Sequence, residues 1–279
     1  MKNRCVLLFA VIACSNVFSQ EIENQEQYRI DQSSSFMLNS PETLGQGAID
    51  IILEGLNDSN LQVIENYIFS LQRIGRAYGL RVKSSDSTVQ SPIEIPEALK
   101  ERLFDNIIQP QSEHIGFQSA IAAMLVMPAD LDLVDFIVNN VLNNEFYADQ
   151  KLYEIIPFLN TGKEFTAAYK NWLLKQVSSS SQYLTAVNSA LALRGQSEFP
   201  PELLPGIIEL LQRESDYANI NLLQIIGEFE DARLYKKELI AIKSKLQQEM
   251  LLPAEERAIQ YSTADYTLQY FNELLESLN

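Results

Sequence analysis

PELLPGIIELLQRESDYANINLLQIIGEFED, residues Pro201 to Asp231, decides the reading of the fold. Its first half sets Leu203, Leu204, Ile207, Ile208 and Leu211 on one face of a helix, and its second half does the same with Leu222, Leu223, Ile226 and Phe229. The polar run from Gln212 to Asp216 separates the two halves, so the stretch predicts a helical hairpin with two apolar stripes facing each other.

Looser copies of this hairpin extend through most of the chain. Leu131 to Leu142 pairs with Tyr147 to Leu159, and Glu164 to Val177 pairs with Gln182 to Leu193; further helices are expected over Pro96 to Ile108, His114 to Met127, Arg233 to Leu246 and Leu268 to Leu278. Second helices begin near Tyr147, Tyr183 and Tyr217, at offsets of 36 and 34, and first helices near Leu131, Glu164 and Pro201, at offsets of 33 and 37. A recurrence of about 35 residues with two helices per unit is the pattern of stacked helical hairpins, each burying the apolar face its neighbour exposes. No segment alternates with period two over a convincing length, so no significant sheet is expected.

Pro201-Glu202-Leu203-Leu204-Pro205-Gly206-Ile207-Ile208-Glu209-Leu210-Leu211 resembles the first helix of a HEAT repeat, and Asn221 to Asp231 the second helix with its small-residue exit. The resemblance covers this one unit and is thin elsewhere. It implies an all-α, right-handed α-solenoid of about six hairpins; another helical repeat or an irregular helical bundle is the alternative. Ala218-Asn219-Ile220 stands where HEAT units commonly carry an arginine that pairs with a neighbouring aspartate, which implies irregular curvature.

At the other end, MKNRCVLLFAVIACSNVFSQ has the charged start, short apolar run and small residues of a secretory signal, with cleavage expected after Ser19. Val11-Ile12-Ala13-Cys14 offers a second route, a lipobox that would leave Cys14 for lipid attachment. The apolar run is far below the roughly 20 residues that span a bilayer, so no transmembrane segment is expected. The domain reading is therefore 1–19 signal peptide, 20–44 flexible polar lead-in, 45–79 first hairpin, 80–95 loop, and 96–279 repeat array. The expected location is periplasmic or secreted, with a lipoprotein held through Cys14 as the alternative.

Both cysteines, Cys5 and Cys14, lie in the leader, so a chain cleaved after Ser19 holds itself together by burial alone; 46 % apolar residues supply the material. The formal charge of −16 becomes −18 once Lys2 and Arg4 are lost. Such a polyanion repels phosphate backbones, which argues against a nucleic-acid partner and favours a basic protein.

Catalytic signatures are sparse. With His114 as the single histidine and no cysteine beyond the leader, ordinary zinc sites cannot be assembled within the chain, and no metal or other cofactor is expected. His114 reads as a surface or capping residue. No G-x-S-x-G, S-x-x-K or phosphate-cradling glycine loop occurs. Asp130, Asp132 and Asp135 crowd a helix start, where carboxylates complement the helix dipole.

The recurring Tyr147, Tyr183 and Tyr217, with Tyr153, Gln182, Asn219 and Asn221, allow two readings: amphipathic wedges between repeats, or partner contacts along one face. The expected function is an exported, non-enzymatic scaffold that binds a basic protein along its concave face, as an immunity-like or adaptor protein of the cell envelope. The alternative is a helical carboxylate and tyrosine hydrolase or lyase acting on an envelope polymer.

Overall fold

The computed structural model describes residues 23–39, 47–78, 94–127, 131–160, 165–194, 200–213, 219–257 and 264–278, and every regular element among them is helical. The leader with Cys14, most of the 80–95 loop, and Tyr217 lie outside the described residues. No helix in the described part is long and apolar enough to cross a membrane. The chain divides into two units, the first ending at Ala129 and the second beginning at Asp130.

The first unit contains α1 (23–38), α2 (Gly47–Gly55), α3 (Leu61–Tyr78), α4 (Glu97–Ile108) and α5 (Glu113–Val126). Helix α1 occupies most of the stretch expected to be a flexible lead-in. Its polar residues find polar partners: Arg29 donates to both carboxylate oxygens of Asp58 at 2.7 Å, and the Asn66 amide donates to Ser33 and Ser34 at 2.9 and 3.1 Å. Phe36 adds a ring contact with Tyr67, and Arg73 donates to the Met37 carbonyl.

Helices α2 and α3 form one hairpin and α4 and α5 the next; α2 meets α4, and α3 meets α5. Ser112 caps α5 by accepting from the Ile115 amide at 3.2 Å, and every residue from Ile115 to Val126 is buried. Small residues at Gly116, Ala120, Ala122 and Ala123 suit close helix packing. On the facing helix, a Cβ at Gly75 would lie 3.0 Å from both the Leu125 Cβ and its carbonyl oxygen, so glycine there permits the contact between α3 and α5. Inside that seam the Gln72 amide donates to the backbone oxygen and to Oε1 of Gln118, each at 2.9 Å.

The second unit contains α6 (Leu131–Ile137), α7 (Ile156–Leu159), α8 (Ala167–Ser179), α9 (Tyr183–Arg194), α10 (Leu204–Gln212), α11 (Asn219–Ile226), α12 (Lys236–Leu251) and α13 (Ala264–Ser277). Helices α8 with α9, α10 with α11, and α12 with α13 form hairpins. First helices α6, α8, α10 and α12 touch in succession, as do second helices α7, α9, α11 and α13. All nine apolar positions expected to form the two stripes of Pro201–Asp231 are buried.

Polar links also join successive second helices. Arg194 donates from Nε to Glu228 at 2.7 Å and from Nη1 to Gln224 at 3.0 Å.

Candidate partner-binding surface

The segment between α6 and α8 departs from the long second helix expected over Tyr147 to Leu159. Asparagine begins the departure, because its side chain competes for backbone groups. Asn140 donates to the Phe136 carbonyl at 2.9 Å, and Asn144 donates to the Asn140 carbonyl at 3.2 Å. Helix α6 runs into a π-turn, Val138–Leu142, closed by the Asn143 amide on the Val138 carbonyl at 2.9 Å. Two 3-10 turns follow, Glu145–Tyr147 and Leu152–Glu154, and only Ile156–Leu159 is α-helical. Pro157 sits in the first turn of that short helix, where its missing N–H costs nothing; inside a continuous helix from Tyr147 it would remove a hydrogen bond and crowd the preceding turn.

Three buried or half-buried side chains hold this irregular segment. The Trp172 indole donates to the Leu142 carbonyl at 2.9 Å, at the end of the π-turn. The Tyr169 hydroxyl donates to Asn160 Oδ1 at 3.2 Å and lies 3.4 Å from the Ile156 carbonyl. The Gln182 amide reaches from the start of α9 to the carbonyls of Ala148 and Gln150, at 2.7 and 3.2 Å. Gln182 is itself held, since its Oε1 accepts from Thr185 at 2.9 Å and its backbone N–H donates to Ser180 Oγ at 3.1 Å. Tyr169 stacks near Trp172, and Phe165 packs at a tilt on Tyr169.

What this framework presents outward is a short ledge. Asn143, Asn144, Glu145, Phe146, Ala148 and Asp149 are exposed, with Phe146 at 43 %. The Phe146 ring meets Tyr147 edge-on, with centroids 5.1 Å apart. Tyr147 itself is fully buried, and burial pushes its hydroxyl up to about 12; burial also raises Tyr169 above the usual tyrosine range. An enclosed ring cannot touch a partner, so Tyr147 positions the ledge while Phe146 faces outward.

The remaining candidates divide. Tyr153, Gln182 and Tyr183 are half-buried, and α9 packs on the turn that carries Tyr153, so these three share a region with Tyr147. Gln182 is committed to holding the ledge. Asn221 is half-buried on α11, and Asn219 begins that helix, with its side chain outside the described residues. Phe146 stands outside the tyrosine recurrence, so periodicity does not single it out; the signal it carries is its place one residue from a buried wedge, where the chain turns the neighbouring side chain outward.

His114 is exposed, with Nε2 2.9 Å from Glu65 Oε1. Among the described residues no group of three His, Cys, Asp or Glu side chains is placed to hold a metal ion. No known protein-family model, curated protein or solved structure matches this chain.

Proposed function

We propose that the chain is an exported helical-repeat scaffold, non-enzymatic, that captures a basic protein through the ledge at residues 143–149. The observation that carries this reading is the combination of a held backbone with an exposed aromatic flanked by acids. Glu145 and Asp149 bracket Phe146, while Trp172 holds the backbone at Leu142 and Gln182 holds it at Ala148 and Gln150. An aromatic anchor on a rigid support loses little conformational freedom on binding, and the flanking carboxylates attract and orient a cationic surface.

The succession of first helices on first helices and second on second within each unit supports a HEAT-like solenoid, of the kind Pro201–Asp231 suggests. The Arg194 contacts to Glu228 and Gln224 provide a polar link between repeats in such an array. An immunity-like or adaptor role in the cell envelope fits a surface of this kind.

The test is a pull-down from an envelope extract with the wild-type chain, Phe146→Ala and the double variant Glu145→Gln/Asp149→Asn, at low and raised salt. The expected result is a basic protein retained by the wild type and lost by Phe146→Ala, with weakened, less salt-sensitive retention by the double variant. Equal retention by all three chains, or no retained protein in either salt, would overturn the proposal.

A further inference from the structure

The acidic character of the chain is not uniform. From Arg233 to Leu252 the sequence places Arg233, Lys236, Lys237, Lys243 and Lys245 against the two carboxylates of Glu238 and Glu249, a local surplus of cations within a protein of formal charge −16. Most of this run lies on α12, which is buried at Leu239 and Leu246. At helical spacing the opposite side carries Lys237, Ile240, Ser244 and Leu251, all exposed.

The apolar members of this element are unusually open. Leu251 is 85 % exposed and Leu234, in the turn before the helix, 70 %; Ile240 and Leu252 are exposed as well. Single exposed leucines are ordinary, but four exposed large aliphatic side chains between Leu234 and Leu252, two of them on α12 and one at each of its ends, share the stretch with five cations, the pattern of a segment that lies in a lipid interface. Glu230, Asp231, Glu255 and Glu256 bound the patch at its two ends. Their repulsion, and that of the distant acidic surface, is screened beyond about 8 Å at physiological salt, so the local cations decide what approaches this face.

We propose that the exposed face of α12 adsorbs onto a bilayer surface bearing anionic headgroups. The heads of Arg233, Lys237 and Lys243 meet lipid phosphates, while Leu234, Ile240 and Leu251 enter the boundary between headgroups and acyl chains. The charge complementarity is opposite to that of the ledge around Phe146, so the two surfaces engage different partners.

The test uses the full chain and sedimentation with vesicles of phosphatidylcholine alone or mixed with phosphatidylglycerol. At low salt, partitioning onto the mixed vesicles should exceed that onto neutral ones by at least about tenfold, and Lys237→Glu/Lys243→Glu should remove at least about tenfold of it. Ile240→Ser/Leu251→Ser should bind mixed vesicles at low salt and release at a lower salt concentration than the wild type. Phe146→Ala should bind vesicles as the wild type does, which separates this proposal from the one about the ledge. Far-UV circular dichroism checks that the variants are folded. Equal binding to neutral and mixed vesicles, no binding to either, or unchanged binding by the lysine double variant would overturn the proposal. So would light scattering showing that these substitutions abolish a dimer while leaving vesicle binding unchanged, because the occupant would then be a second copy.

Discussion

Replacing Trp172 with phenylalanine tests how the ledge is held. The indole of this buried residue donates to the Leu142 carbonyl at 2.9 Å, where the π-turn ends and the exposed segment begins. Phenylalanine keeps an aromatic ring but has no donor. Leaving a buried carbonyl without that donor costs about 1 to 3 kcal/mol. The smaller ring also loses packing worth about 1 kcal/mol or somewhat more. Together the loss is about 2 to 4 kcal/mol, which corresponds to a rise of roughly 30- to 1000-fold in local opening.

Hydrogen exchange read by mass spectrometry is the suitable assay, because removing the only tryptophan also removes the fluorescence signal. Exchange should accelerate in peptides spanning 138–150, while amides in α3 and α5 keep their wild-type rates. The same variant should weaken partner capture, since Phe146 would no longer be held on a fixed support. An acceleration below about threefold in 138–150, equivalent to less than about 0.7 kcal/mol, would refute the assignment of Trp172 as the anchor.

Gly75→Val should lower the thermal midpoint, because its side chain would have to displace Leu125 at the contact between α3 and α5; overpacking of this kind costs about 1 to 3 kcal/mol. A midpoint equal to that of the wild type would show that the helices can separate without penalty. Tyr147 keeps its proton to about pH 12 when folded, whereas an unfolded tyrosine ionises near pH 10, so stability should fall as pH rises between these values. The loss approaches about 2 to 3 kcal/mol by the upper limit, and Tyr147→Phe should flatten that part of a urea-midpoint profile; an unchanged slope would count against the assignment. Ile208→Ala, in the buried stripe of α10, should cost about 2 to 5 kcal/mol by urea denaturation, and a loss under about 1 kcal/mol would contradict the packing described for that hairpin.

How much of this was legible depended on what each face packs against. The stripes of α10 and α11 could be read directly because Leu203, Ile207, Ile208, Leu222 and Ile226 are apolar at helical spacing and buried. Helix α1 was hidden because Ser33 and Ser34 accept from Asn66, and Arg29 pairs with Asp58, where a hydrophobic pattern would be sought. Over Tyr147 to Leu159, Leu152, Ile155, Ile156 and Leu159 mimic one helix, but the asparagine side chains and Pro157 impose turns. The ledge was only half visible: the recurrence located Tyr147, while the exposure of Phe146 depends on a local turn that periodicity cannot supply.

The pair Gln72 and Gln118 bears on the order in which hairpins assemble. Leucine and isoleucine faces are nearly interchangeable, so a hairpin bounded only by them could join a wrong neighbour, or the right one shifted by a turn. A buried amide is less permissive. Moving α3 one turn along α5 would carry Gln72 away from both oxygens it meets on Gln118 and leave polar atoms stranded in an apolar seam. The contact therefore acts as an address, distinguishing the correct neighbour and register from compact arrangements that bury as much hydrocarbon.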